Sequence, residues 1–196
     1  MSRIGKQPIK IPELVNVKID KQNIAVKGPK GNLSLTVSKG ITAEIIDKEI
    51  IVTRKNDEKE NRSLHGLNRV LIDNMIVGVS EGYMKKLFVV GTGYKVAIQG
   101  KWLILSLGFS HDVYVEMPKT VEVQTEKISR AAASDIPELQ AIIDLYSCDK
   151  ELLGNVTASI RAVRPPGAFN KCKGIRYSDE RVKKKPGKVA GGTDAG

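Results

Sequence analysis

Cysteine and histidine are almost absent from this sequence, which holds two of each: Cys148, Cys172, His65 and His111. Neither cysteine has a CxxC neighbour or a nearby histidine, so no zinc site is indicated. Two reduced thiols are the preferred reading over a disulfide. His111 lies in Ser110–His111–Asp112, but neighbours in an extended chain point to opposite sides, whereas a catalytic triad converges from separate elements. Paired carboxylates and metal-ligand spacings are missing too. The expectation is therefore no enzymatic activity, no cofactor, no metal and no small-molecule substrate. A continuous apolar run of about 18 residues is also lacking, so nothing is expected to span a membrane. The opening "MSRIGKQPIKIP" has no apolar core and no Arg/Ser-rich character, so neither secretion nor organelle import is signalled.

A phosphate loop is missing as well. Gly91 and Gly93 in "VVGTGYK" lack the third glycine and the following helix of a dinucleotide fingerprint. They also lack the Gly-Lys-Ser/Thr of a P-loop. A tight turn or bulge is expected there.

What the sequence does have is a core-forming apolar fraction of 41% and a very uneven charge. The net charge is +10, yet residues 161–188 alone hold ten Lys/Arg against two acids, while residues 1–160 hold 22 against 19. A balanced body with a cationic end implies a polyanionic partner, nucleic acid in preference to an anionic membrane.

Periodicity points to one unit used twice. "NIAVKGPKGNLSLTV" alternates Ile24 and Val26, then Leu33, Leu35 and Val37, around Gly-Pro-Lys-Gly, which is a hairpin pattern. "KEIIVTRKND" is a further strand. In "RSLHGLNRVLIDNMIVGV" the spacing becomes helical, with Leu64, Leu67, Val70, Leu71 and Met75 as the expected apolar face. The pattern then restarts. "KLFVVGTGYKVAIQGKWLILSL" gives strands around Gln-Gly-Lys, and "DVYVEM" and "LQAIIDLYSCD" are strands. "KELLGNVTASIRAV" is a helix with Leu152, Leu153, Val156, Ile160 and Val163 on one side. Each helix carries an early glycine, Gly66 or Gly154. The expected fold class is α+β. Two tandem duplicated domains, 1–81 and 82–165, each pack small antiparallel or mixed sheets on one helix. Residues 125–138 read as a loop or short helical insertion. Residues 166–196 read as a basic extended segment with a disordered tail.

The basic segment is the candidate site. Arg161 and Arg164 begin the charge on a helix. Phe169 and Tyr177 offer flat faces for stacking on bases, and Gly167, Gly174 and Gly187 permit close approach to phosphates. Arg181 adds to the same positive run. Such a segment is expected to order only on its RNA.

Several stretches carry a family resemblance: "MSRIGKQPIKIP", "NMIVGVSEGYMKKLFVVGTGYK", "LSLGFSHDV" and "KGIRYSDE". Over residues 1 to about 185 the chain resembles the family of the sixth protein of the bacterial large ribosomal subunit. The resemblance implies two duplicated α+β domains, no catalysis, and a cytoplasmic place in the ribosome. It implies binding to large-subunit (23S-type) rRNA near the sarcin–ricin loop, where translational GTPases act, with neighbouring ribosomal proteins as further partners. It carries RNA contact onto Lys171, Lys173, Gly174, Arg176 and Tyr177, with Lys183, Lys184 and Lys185 beyond. Lys85 and Lys86 at the junction, and Arg3 and Lys6 near the start, are weaker candidates. The family signature Pro-Glu-Pro-Tyr-Lys-Gly-Lys-Gly is altered here. It runs from Pro166 through Phe169, with Asn170 inserted and Cys172 in place of a glycine, to Gly174. A free-standing nucleic-acid-binding protein is the alternative reading.

Overall fold

The computed structural model describes residues 4–128, 136, 138–169, 172–183 and 185. The chain forms two compact units. It divides between Tyr83 and Met84, and Ser147–Leu152 joins the first unit. Each unit contains two small antiparallel sheets and draws on one long helix, so the α+β duplication is present.

In the first unit, β2 (Asn16–Asp20), β3 (Asn23–Gly28) and β4 (Gly31–Thr36) form one sheet. A second sheet has the order β1 (Ile9–Lys10), β6 (Glu49–Arg54), β5 (Ile41–Ile46). The Gly-Pro-Lys-Gly hairpin forms as its residues dictate. Gly28 pairs with Gly31 across Pro29-Lys30, and Val26 and Ile24 then face Leu33 and Leu35. The β5–β6 turn places both Asp47 and Lys48 in the left-handed region, at φ 48° and 64°. A turn of that hand matches the twist of the strands it joins.

Helix α1 (Lys59–Ser80) covers these sheets with a face rotated from the one its leucines suggest, Leu64 and Met75 being common to both. Its buried residues are His65, Asn68, Ile72, Met75, Ile76, Gly78 and Val79, while Leu67 is 52% exposed and Val70 lies outside as well. Hydrophobic periodicity missed the rotation because two inward residues are polar and satisfied. His65 Nδ1 accepts from Arg54 Nη1 at 3.1 Å, and its Nε2 lies 2.8 Å from the Val52 carbonyl. A guanidinium can only donate, so the ring proton sits on Nε2 and goes to Val52. Asn68 Nδ2 donates to the Leu64 carbonyl and to Ser38 Oγ. The helix stops at Gly82, whose φ of +82° ends the ladder in the left-handed conformation favoured by glycine.

The second unit has a three-stranded sheet of β10 (Val113–Glu116), β9 (Trp102–Ser106) and β8 (Lys95–Gln99). Its four-stranded sheet has the order β11 (Glu122–Lys127), β12 (Leu139–Ser147), β7 (Tyr83–Val90), β13 (Gly174–Tyr177). Helix α2 (Lys150–Val163) contributes buried Leu153, Thr157 and Ile160. The Thr157 hydroxyl is satisfied by the Leu153 and Gly154 carbonyls, both at 2.9 Å, so a polar residue sits on the inner face here also. Gly91 and Gly93 form a turn that closes from Tyr94 N–H to the Gly91 carbonyl, with the Tyr94 ring buried against Gly91.

Two expectations need correction. Residues 125–127 are strand, paired with β12 out to Lys127↔Ala141, so the supposed insertion cannot begin at 125. The basic segment, expected to order only on RNA, supplies β13 to the edge of β7. Ile175 fills the core opposite Val89 and has no solvent exposure, which gives the strand an apolar anchor that the surrounding cations conceal.

Candidate nucleic-acid interface

Backbone bonds hold the basic segment in place before any side chain is considered. After α2 the chain turns at Pro165–Pro166 and comes back. Ile175 N–H donates to the Arg164 carbonyl at 2.8 Å, and Gly167 N–H donates to the Lys173 carbonyl at 2.9 Å. Further on, Ser178 N–H donates to Lys86 and Lys185 N–H to Ala168. Gly174 makes the return possible. Its φ is +144°, and a Cβ there would lie 2.5 Å from the Pro165 carbonyl oxygen. Gly174→Ala is therefore expected to cost about 2 kcal/mol through strain and overlap with backbone. Faster hydrogen exchange at the Ile175 and Tyr177 amides would register it, and unchanged exchange would refute it.

The side chains sort into three groups. Arg161, Tyr177, Lys85 and Glu180 come together. Arg161 Nε donates to Glu180 Oε2 at 2.8 Å and its Nη2 donates to Oε1, while Tyr177 N–H donates to Oε2 at 3.2 Å. The Arg161 guanidinium lies 5.8 Å and the Lys85 ammonium 5.9 Å from the centre of the Tyr177 ring. The hydrogen bond from Arg161 is the main cause that holds the Glu180 carboxyl below its ordinary value, against the opposing effect of burial. The same bond raises the Arg161 guanidinium. The stabilisation is present at neutral pH and is lost only as pH falls through the depressed Glu180 value.

A second group is occupied elsewhere in the unit. Arg164 lies over two rings, 4.7 Å from the centre of Phe109 and 5.7 Å from that of Tyr94. Lys86 is 3.5 Å from Asp144 on the neighbouring strand. The third group faces solvent: Lys173, Arg181, Lys183 and Lys185 are exposed, as is Phe169 at 62%. Among the described residues none of these four cations has an acidic partner within ion-pair distance. Arg176 is half-buried opposite Phe88. Lys171, Lys184, Gly187 and Arg3 lie outside the described residues. Sequence reasoning missed Glu180. Its one visible signal was that, with Asp179, it is an acid inside a run of cations.

The profile of the family described as ribosomal protein L6 matches residues 11–82 and 90–178. The chain is 46% identical over 189 residues to the large ribosomal subunit protein uL6 of Acaryochloris marina, covering 96% of this chain and 98% of that relative. It is 44% identical over 191 residues to the protein of the same name from Carboxydothermus hydrogenoformans, covering 97% and 98%. The chain belongs to the ribosomal protein L6 family. Members of that family are structural components of the ribosome without enzymatic activity. The two matched segments of the L6 profile correspond to the two repeated units. Cys172 is buried and holds φ +51°, the left-handed conformation in which glycine is free of strain.

Proposed function

We propose that this chain is a structural constituent of the large ribosomal subunit in the bacterial-type cytoplasmic ribosome. Its second unit and basic C-terminal segment bind large-subunit rRNA near the sarcin–ricin loop, beside the region where translational GTPases act. Neighbouring ribosomal proteins are its other partners. The observation that carries this reading is β13. A cationic segment is fixed to a folded sheet edge, with Lys173, Arg181, Lys183 and Lys185 exposed and unneutralised among the described residues. A pinned cation meets a phosphate without first being ordered, so less of the interaction energy is lost on binding. Arg161, Arg164 and Lys86, already engaged within the unit, serve mainly to hold this surface in shape.

Sedimentation tests the proposal. In moderate salt the protein is expected to travel with large subunits. Four phosphate contacts, one for each exposed cation, predict a loss of about a hundredfold in affinity for deproteinised rRNA between roughly 50 and 200 mM salt. A chain that stays at the top of the gradient in moderate salt, or binds with no salt dependence, would overturn the assignment.

A further inference from the structure

Glu180 is one of two acids among the cations of residues 161–188, where simple electrostatics would have neither. We propose that Glu180 is a positioning residue for RNA binding. It acts through Arg161 and the Tyr177 backbone to fix the turn from which the exposed cations follow. This inference rests on the ribosomal reading above.

The geometry is that of a clamp. One carboxylate takes two donors of the Arg161 guanidinium and the Tyr177 amide. Two-point pairing of this kind sets orientation as well as distance. The backbone closes the same turn, with Glu180 N–H donating to the Tyr177 carbonyl at 3.2 Å and Ser178 N–H to Lys86 at 3.1 Å. Arg161 belongs to α2 and Tyr177 to the end of β13, so the clamp joins the helix to the last residue of the edge strand. Immediately beyond it come Arg181 and Lys183, both exposed. On this reading Arg161 is bound to its own chain and is not a phosphate contact.

Two accounts of Glu180 give opposite signs. If the carboxylate is only a local charge, its removal strengthens attraction to every RNA. If it is a clamp, its removal weakens binding to the cognate rRNA while leaving or improving binding to any other RNA. The experiment uses the full chain, deproteinised large-subunit rRNA from the same organism, and an unrelated RNA of equal length. Glu180→Arg and the isosteric Glu180→Gln are each expected to lose about tenfold in rRNA affinity, with unrelated RNA bound at least as tightly as before. Hydrogen exchange should quicken at residues 175–181 and stay slow in β7 and β12, which separates loss of the clamp from loss of the fold. The double variant Arg161→Glu with Glu180→Arg keeps the net charge and restores the ion pair with reversed polarity, though not the acceptor for the Tyr177 amide, so part of the affinity should return. The inference is overturned if either single variant binds rRNA as tightly as the parent. It is equally overturned if the folded double variant recovers nothing, since Arg161 would then be a direct phosphate ligand. A parent protein that does not distinguish the two RNAs refutes the ribosomal reading itself, a different outcome from either.

Discussion

Reversing both Lys173 and Arg176 to glutamate should reduce affinity for large-subunit rRNA by about a hundredfold and block incorporation into the subunit, with little effect on the fold. Lys173 is exposed and contributes only its backbone carbonyl to the loop, accepting from Gly167. Arg176 is half-buried on the β13 face opposite to that of the buried Ile175, so its replacement leaves the core anchor in place. Surface charge changes of this kind usually alter stability by less than about 1 kcal/mol, so a melting temperature close to the parent's is expected. The binding effect is larger because each reversal removes an attraction and adds a repulsion. It also has a signature of its own. Losing two phosphate contacts should flatten the dependence of log affinity on log salt by about 1.5 to 2. If incorporation and slope are both unchanged, the contact assignment is wrong even though the family assignment stands.

Legibility in the sequence followed the kind of interaction involved. The alternation of Leu139, Ala141, Ile143 and Leu145 announces β12, because a central strand must bury one face at every second residue. Gly28-Pro29-Lys30-Gly31 announces its hairpin because the turn chemistry is local. By contrast, β11 is an edge strand whose "EVQTEK" has too little apolar content to signal a strand. In β13 the single buried Ile175 is outnumbered by neighbouring cations, and its partner β7 lies at the far end of the unit's sequence. The inner face of α1 is only partly legible because His65 and Asn68 count as polar in any hydrophobic pattern, although hydrogen bonds to the Val52 carbonyl and to the Ser38 hydroxyl offset the cost of their burial. The same limit applied to the site. Charge counting located the cationic segment, but not which cations are already committed. The partners of Arg161, Arg164 and Lys86, namely Glu180, Phe109 and Asp144, are brought to them by the fold.

The remaining large effect concerns a glycine that sequence reasoning passed over. Gly78 lies in the last turns of α1, where alanine normally stabilises a helix by about 1 kcal/mol. Here the sign should reverse. A Cβ at Gly78 would overlap the Cys148 carbonyl oxygen and lie 3.0 Å from the Tyr83 ring. Ordinary contact needs well over 3 Å, and the obstruction is backbone, which cannot swing aside as a long side chain does. Nor can the helix end retreat easily. The Val79 carbonyl accepts the Lys30 N–H at 3.0 Å, and Gly28 packs so closely that its own Cβ would lie 2.9 Å from that same oxygen. Gly78→Ala is therefore expected to destabilise the first unit by about 3 kcal/mol or more, the upper part of the range for overpacking. For a unit of this size that is a fall of roughly 10–20 °C in its melting transition. Gly154→Ala in α2 is the matched control. It has the same chemistry in a helix, but a Cβ there meets nothing within 4 Å. It should stabilise by about 0.5–1 kcal/mol. Calorimetry on the two variants should show shifts of opposite sign; shifts of the same sign would mean that close approach to the Cys148 backbone does not fix the glycine at 78.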